Sequence, residues 1–165
     1  MKKVLLGITV IAFSFISLAE DCKKDKIEGI VKKACELVNA GKMNDLISKD
    51  FNGPCDSYVW VNLFGGDNKM VFHPFNRKLV GNSMKGTKDP KGHKIFENFD
   101  AAAKDKGKAG YVQYEWPKPP AGKIETKCSY VMNCDGKNIA GMGIYAKCDS
   151  IGLTKADYIY DEVKK

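Results

Sequence analysis

The chain has 165 residues, with 27 Lys and Arg against 20 Asp and Glu and a formal net charge of +7. At 44% hydrophobic and 28% charged residues its composition is that of a globular protein, which excludes a disordered, collagen-like or polytopic membrane chain. Six Cys and two His, with no CxxC or CxxCH spacing, exclude thioredoxin-type redox chemistry, c-type haem attachment, a His-rich metal cluster and an ordinary zinc ribbon.

The N-terminus sets the expected compartment. Lys2 and Lys3 precede an apolar run from Val4 to Leu18, and Ser17-Leu18-Ala19 offers small residues for cleavage before Glu20. This pattern predicts a secretory signal peptide over residues 1–19. An uncleaved anchor is the competing reading, disfavoured by the short run and by Ser14 and Ser17. Asp21 before Cys22 argues against lipidation. Residues 20–165 then form one domain, periplasmic or secreted, with no membrane span after cleavage. Export makes nucleic acid an improbable partner, and the lysines, spread along the chain, read as a solvated surface.

All six cysteines, Cys22, Cys35, Cys55, Cys128, Cys134 and Cys148, follow the predicted cleavage site. An even count in an exported chain predicts disulfides, for which about 15 complete pairings exist. We expect Cys35–Cys55, then Cys128–Cys148 across the terminal hairpin, with Cys22–Cys134 as the remainder. A cysteine nucleophile with His73 or His93 is disfavoured, because an oxidising compartment consumes free thiols.

In chain order, Asp21 caps a predicted helix with Ile27, Ile30, Val31, Ala34, Leu37 and Val38 at helical spacing. Gly41 interrupts it, and Met43, Leu46 and Ile47 continue a shorter helical stretch. Aromatic and β-branched residues at 58–63 and 70–73 predict a hairpin around Gly65-Gly66-Asp67-Asn68. Residues 74–92 form a long aperiodic loop. A helix is expected over about 92–106, then strands over 111–116, 126–132 and 139–145, with Pro117–Pro120 as a stiff connector. Leu153 to Val163 reads as a short helix or an extended tail. The order describes an α+β architecture: a long N-terminal helix and a five-stranded antiparallel sheet with helices on one side.

Tyr58-Val59-Trp60-Val61, Gly65-Gly66-Asp67, His73-Pro74-Phe75-Asn76, Leu79 and Gly81-Asn82 resemble the single-Cache family, second subtype. So do Lys88-Asp89 with Gly92, the run Gly110 to Pro117, Lys127 with Tyr130-Val131, and Gly143-Ile144-Tyr145. The resemblance covers about residues 27–147. It implies a PAS-like extracytoplasmic sensor module that binds small molecules, often short organic acids. Cache modules commonly sit between two membrane helices of a receptor or kinase. Here no second apolar span and no signalling domain follow the last strand, and six cysteines are added to the pattern.

Candidate ligand contacts are His73 at a strand end, Lys127 in an aromatic-rich strand, and Tyr130. Trp116, Tyr111 and Tyr145 are expected to wall the apolar part of the site, with Asn76 and Arg77 on a loop able to close over it. Lys127 and Tyr130 fall on opposite faces of a regular strand, so both reach one ligand only if Lys127 lies at the strand end. Tyr58 and Trp60 share a face, and the expectation for Trp60 is core packing. Gly141 and Gly143 leave one face of their strand bare, as where a ligand or backbone approaches closely. We expect a small-carboxylate-binding sensor domain, for acetate, propionate, lactate or pyruvate, acting in signal transduction. An envelope adaptor for a membrane receptor or histidine kinase, with no ligand of its own, is the alternative. No nucleophile–base pair, metal cluster or cofactor loop points to an enzyme, and no cofactor is expected.

Overall fold

The computed structural model describes residues 22–53 and 56–160. The predicted signal peptide, the Asp21 cap, Cys55 and the end of the expected C-terminal segment lie outside the described residues. Helix α1 spans Lys24–Asn39 and buries Ile27, Val31, Ala34, Cys35 and Val38 along one stripe. It stops where Gly41 turns left-handed (φ 70°) and lets the Lys42 N–H reach back to the Leu37 carbonyl. A short 3-10 turn at Met43–Ile47 then buries Leu46.

The strands are β1 Val59–Leu63, β2 Met70–Phe72, β3 Ala109–Lys118, β4 Lys123–Asn133, β5 Asn138–Ile144 and β6 Tyr158–Ile159. They form one sheet in the order β2-β1-β5-β4-β3-β6. All neighbours pair antiparallel except β6, which adds to the β3 edge in parallel. The expected antiparallel strands are thus present, and the C-terminal segment supplies a sixth. Pro117 and Lys118 continue β3 opposite Ile124 and Lys123 instead of forming a connector.

The expected helix over 92–106 shortens to α2, Ile95–Ala102. At its start, the Asp89 carboxylate accepts the backbone N–H groups of Lys91 and His93 and holds residues 89–93 in a turn. At its end, Asn133 Nδ2 donates to the Ala103 carbonyl, and the Gly107 N–H donates to the Asn133 carbonyl. These bonds take the chain away from helical pairing.

The helices lie on both faces of the sheet, not on one side as expected. On one face α1 packs with Val59, Val61, Tyr111, Tyr130, Ala140 and Met142. On the other, α2 packs with Tyr58, Trp60, Met70, Val112, Tyr114, Val131 and Ile139. Successive strand residues point to opposite faces, and both sets here are apolar, so each face needs its own cover.

Two disulfides are defined. Cys35–Cys134 fastens α1 to the end of β4, and Cys128–Cys148 fastens β4 to the segment after β5. The second matches expectation. Pairing of Cys35 with Cys134 overturns both Cys35–Cys55 and Cys22–Cys134: Cys35 faces the sheet from α1, where the β4–β5 hairpin presents Cys134. Cys22 is also disulfide-bonded.

Candidate functional site

The α2 face of the sheet holds a small cavity of about 10 Å³. That is about the space one water molecule needs, so even a ligand of few atoms enters only as the walls move apart. Its walls come from the start of β1 (Tyr58, Trp60), β3 (Tyr114, Trp116), β4 (Lys127) and α2, with Met70 and His73 from β2 and the residue after it. Strand alternation puts Tyr58 with Trp60, and Tyr114 with Trp116, on this one face.

Lys127 is the central charge. It lies in the middle of β4 opposite Tyr114 and is fully buried. Its Nζ sits 3.9 Å from the Tyr58 ring centroid and 4.9 Å from those of Trp60 and Tyr145. Among the described residues no carboxylate forms an ion pair with it, and neither Asp nor Glu lines the cavity. A desolvated cation–π contact returns about 2 kcal/mol, whereas removing an ammonium from water costs several. Desolvation therefore prevails and pushes the Lys127 pKa well below the ordinary lysine range.

His73 is 5% exposed, and its Nδ1 accepts the Asn76 backbone N–H at 3.0 Å. That bond leaves Nε2 as the protonated nitrogen of the neutral ring. Burial, and secondarily Lys127 in its protonated form, lowers the His73 pKa to about 4. The imidazole is thus a neutral hydrogen-bond donor beside the cavity, tilted against Tyr58 with ring centroids 4.8 Å apart. Trp116 Nε1 donates to Tyr58 Oη at 3.0 Å, and Tyr145 Oη donates to the Pro117 carbonyl at 2.9 Å. These bonds fix three aromatic walls while leaving the lysine amine uncommitted to an acid.

Of the residues singled out from sequence, His73, Lys127 and Trp116 line the cavity, and Tyr145 covers Lys127 from one side. Asn76 lies at the mouth, in an outer groove with Phe75, Pro119 and Pro120 that shares Tyr58, His73 and Trp116 with the cavity. Arg77 is exposed and faces a different groove beside Ile47 and Val80. Tyr111 and Tyr130 stack on each other at 5.0 Å on the α1 face, so neither reaches the cavity. β4 is regular through Lys127, and that regularity separates Tyr130 from it.

The bare strand surface at Gly141 and Gly143 is filled by protein. A Cβ at Gly141 would collide with the Trp60 indole, and one at Gly143 with the Ser129 side chain and Cys128 carbonyl. Tyr58, Trp60, Tyr114 and the α2 side chains were not anticipated as cavity walls. The shared parity of Tyr58 and Trp60 was the available signal.

A PAS-like sheet with a small buried cavity, and one cationic side chain among aromatic walls, is the arrangement of a ligand-sensing module. A family model described as Cache domain matches residues 23–147, and the chain belongs to that family. Family membership places it among sensor domains and not among catalytic ones.

Over 91 residues the chain is 37% identical to the methyl-accepting chemotaxis protein McpP of Pseudomonas putida and 34% identical to the sensor histidine kinase MctS of Rhizobium johnstonii. Each match covers 54% of this chain but only 16% and 19% of those relatives. Among solved structures, it is similar to a periplasmic sensor domain of a chemotaxis protein (TM-score 0.57, 27% identity), covering 74% of this chain and 87% of that one. It is also similar to a Cache chemosensory domain solved for carboxylic acid recognition (TM-score 0.55, 31% identity), covering 74% and 88%.

Proposed function

We propose that this chain is a periplasmic sensor domain that binds a short organic acid through Lys127 and His73. The observation that carries the reading is a fully buried lysine, without an acidic partner among the described residues, in a small cavity walled by aromatic and aliphatic side chains. A monocarboxylate complements it: the anion supplies the charge the lysine lacks, His73 Nε2–H donates a second hydrogen bond, and the aromatic walls cover a short carbon tail. Charge-assisted bonds of this kind are roughly twice as strong as neutral ones. The similarity to a domain solved for carboxylic acid recognition supports the same ligand class.

The bound state is communicated to a membrane receptor or histidine kinase, the classes to which the related chemotaxis protein and sensor kinase belong. A thermal-shift screen with acetate, propionate, lactate and pyruvate tests the binding step. Ligands that bind only the native state raise its stability saturably. A concentration-dependent rise with at least one acid is expected. A flat response to all of them removes the ligand assignment and favours the adaptor reading.

A further inference from the structure

We propose that the cavity takes up one proton together with each organic anion, so that the domain reads the undissociated acid and not the anion alone. This rests on the carboxylate reading above and concerns how the same site is regulated. Among the described residues the cavity walls give the Lys127 amine no anionic partner, only rings. The amine is therefore held as neutral –NH₂ when the site is unoccupied, consistent with the direction in which burial moves its pKa. A carboxylate entering the cavity reverses the balance, because an opposite charge in contact favours the protonated form. The step balances as amine, solvent proton and carboxylate giving an ammonium–carboxylate pair, with no bond broken and no other reactant. The product of anion and proton concentrations is proportional to the concentration of the neutral acid, which is the quantity the site then measures.

The groups around the amine leave the proton little choice of destination. The amine lies over the rings of Tyr58, just before β1, and Tyr145, just beyond β5, while Tyr114 of β3 lines the same cavity, and all three phenols are held above the ordinary tyrosine range by burial. His73, after β2, is neutral. α2 presents only apolar side chains to the cavity. Lys118 lies 5.5 Å from the Tyr145 ring centroid and adds a positive charge.

Calorimetric titration with sodium acetate, propionate, lactate and pyruvate, each in phosphate and in Tris at about pH 8, reads the proton directly. The expected result is a heat that differs between buffers by one buffer deprotonation per anion bound, and a Kd that rises about tenfold per pH unit on the alkaline side. His73→Gln should bind more weakly and still take up the proton. Lys127→Met should take up none. Since Lys127→Met also alters a buried site, the wild-type Lys127 Nζ resonance followed by ¹⁵N NMR gives a second readout. It should report a neutral amine at a pH where surface lysines are charged, and convert to ammonium when acid is added. Binding with equal heats in both buffers and a pH-independent Kd overturns the coupling while leaving the carboxylate site intact. Proton uptake that persists in folded Lys127→Met overturns its assignment to this residue. If none of the acids binds at any pH, the carboxylate reading falls, and the coupling with it.

Discussion

The Nζ of Lys127 lies 3.9 Å from the centroid of the Tyr58 ring, and the hydroxyl at the far end of that ring accepts the Trp116 indole N–H at 3.0 Å. The lysine is thus held against an aromatic wall that is itself pinned from β3, across the intervening β5 and β4. Tyr58→Phe keeps the ring and removes the acceptor, leaving the indole N–H without this partner. A stability loss of about 1–2 kcal/mol is expected. Chemical denaturation measures it, and an unchanged midpoint would show that water replaces the phenol at no cost.

Gly141 tests how tightly the cavity floor is fitted. A methyl group there meets the Trp60 indole, and the strand backbone behind it has no room to withdraw between β1 and β4. Gly141→Ala should destabilise by about 1–3 kcal/mol, the usual range for overpacking, and should weaken ligand binding by shifting Trp60. Urea midpoints and the Trp fluorescence of the variant report both effects.

How far the sequence carried to this point differs between the sheet and the site. Aromatic and β-branched residues at 58–63 mark a strand, whose pleat imposes a period of two, and that signal is local. The same period assigned Tyr58 and Trp60 to one face, and it correctly set Lys127 against Tyr130. Whether a face meets α1 or α2 depends on chain crossings that local pattern does not encode, so the placement of both helices on one side failed. The partner of Cys35 depends on the same packing: Cys134 is 99 residues away in sequence and adjacent only once α1 lies on β4 and β5. Strand β6 is two residues long and is held to β3 by tertiary contact, which leaves no periodicity to detect.

The Cys35–Cys134 bond closes a long loop, which constrains the unfolded chain more than a short one does. Cys35→Ala with Cys134→Ala should cost about 2–5 kcal/mol of stability under oxidising conditions. Non-reducing peptide mapping should return Cys35–Cys134 and Cys128–Cys148 linked peptides. A Cys35–Cys55 peptide in the native protein would contradict the packing of α1 described above.

His73 gives the stability a definite pH dependence. Its pKa falls from 6.5 in the unfolded chain to about 4 in the folded one, so the native state binds fewer protons than the unfolded state between those values. The His73 contribution is then complete above about pH 6.5 and is lost as pH falls toward 4, by up to roughly 3 kcal/mol, while Lys127, held below the ordinary lysine range, adds a slope of the same sign. Asp89, Asp135 and Asp157, whose pKa values are lowered from 3.8, act below this window. Denaturation midpoints measured at about pH 7 and pH 4.5 should differ more in the wild type than in His73→Gln. A slope unchanged by the substitution assigns the titration to another group.

The most direct test of the account is the dissociation constant of the best-binding acid for the wild type, Lys127→Met and the exposed control Lys137→Met, measured by calorimetry on folded protein. One charge-assisted hydrogen bond contributes about 1.5–3 kcal/mol, so Lys127→Met should bind roughly tenfold to more than a hundredfold more weakly, with Lys137→Met unchanged. Equal affinity of Lys127→Met and wild type would show that the anion is held elsewhere and that the buried lysine is not the centre of the site.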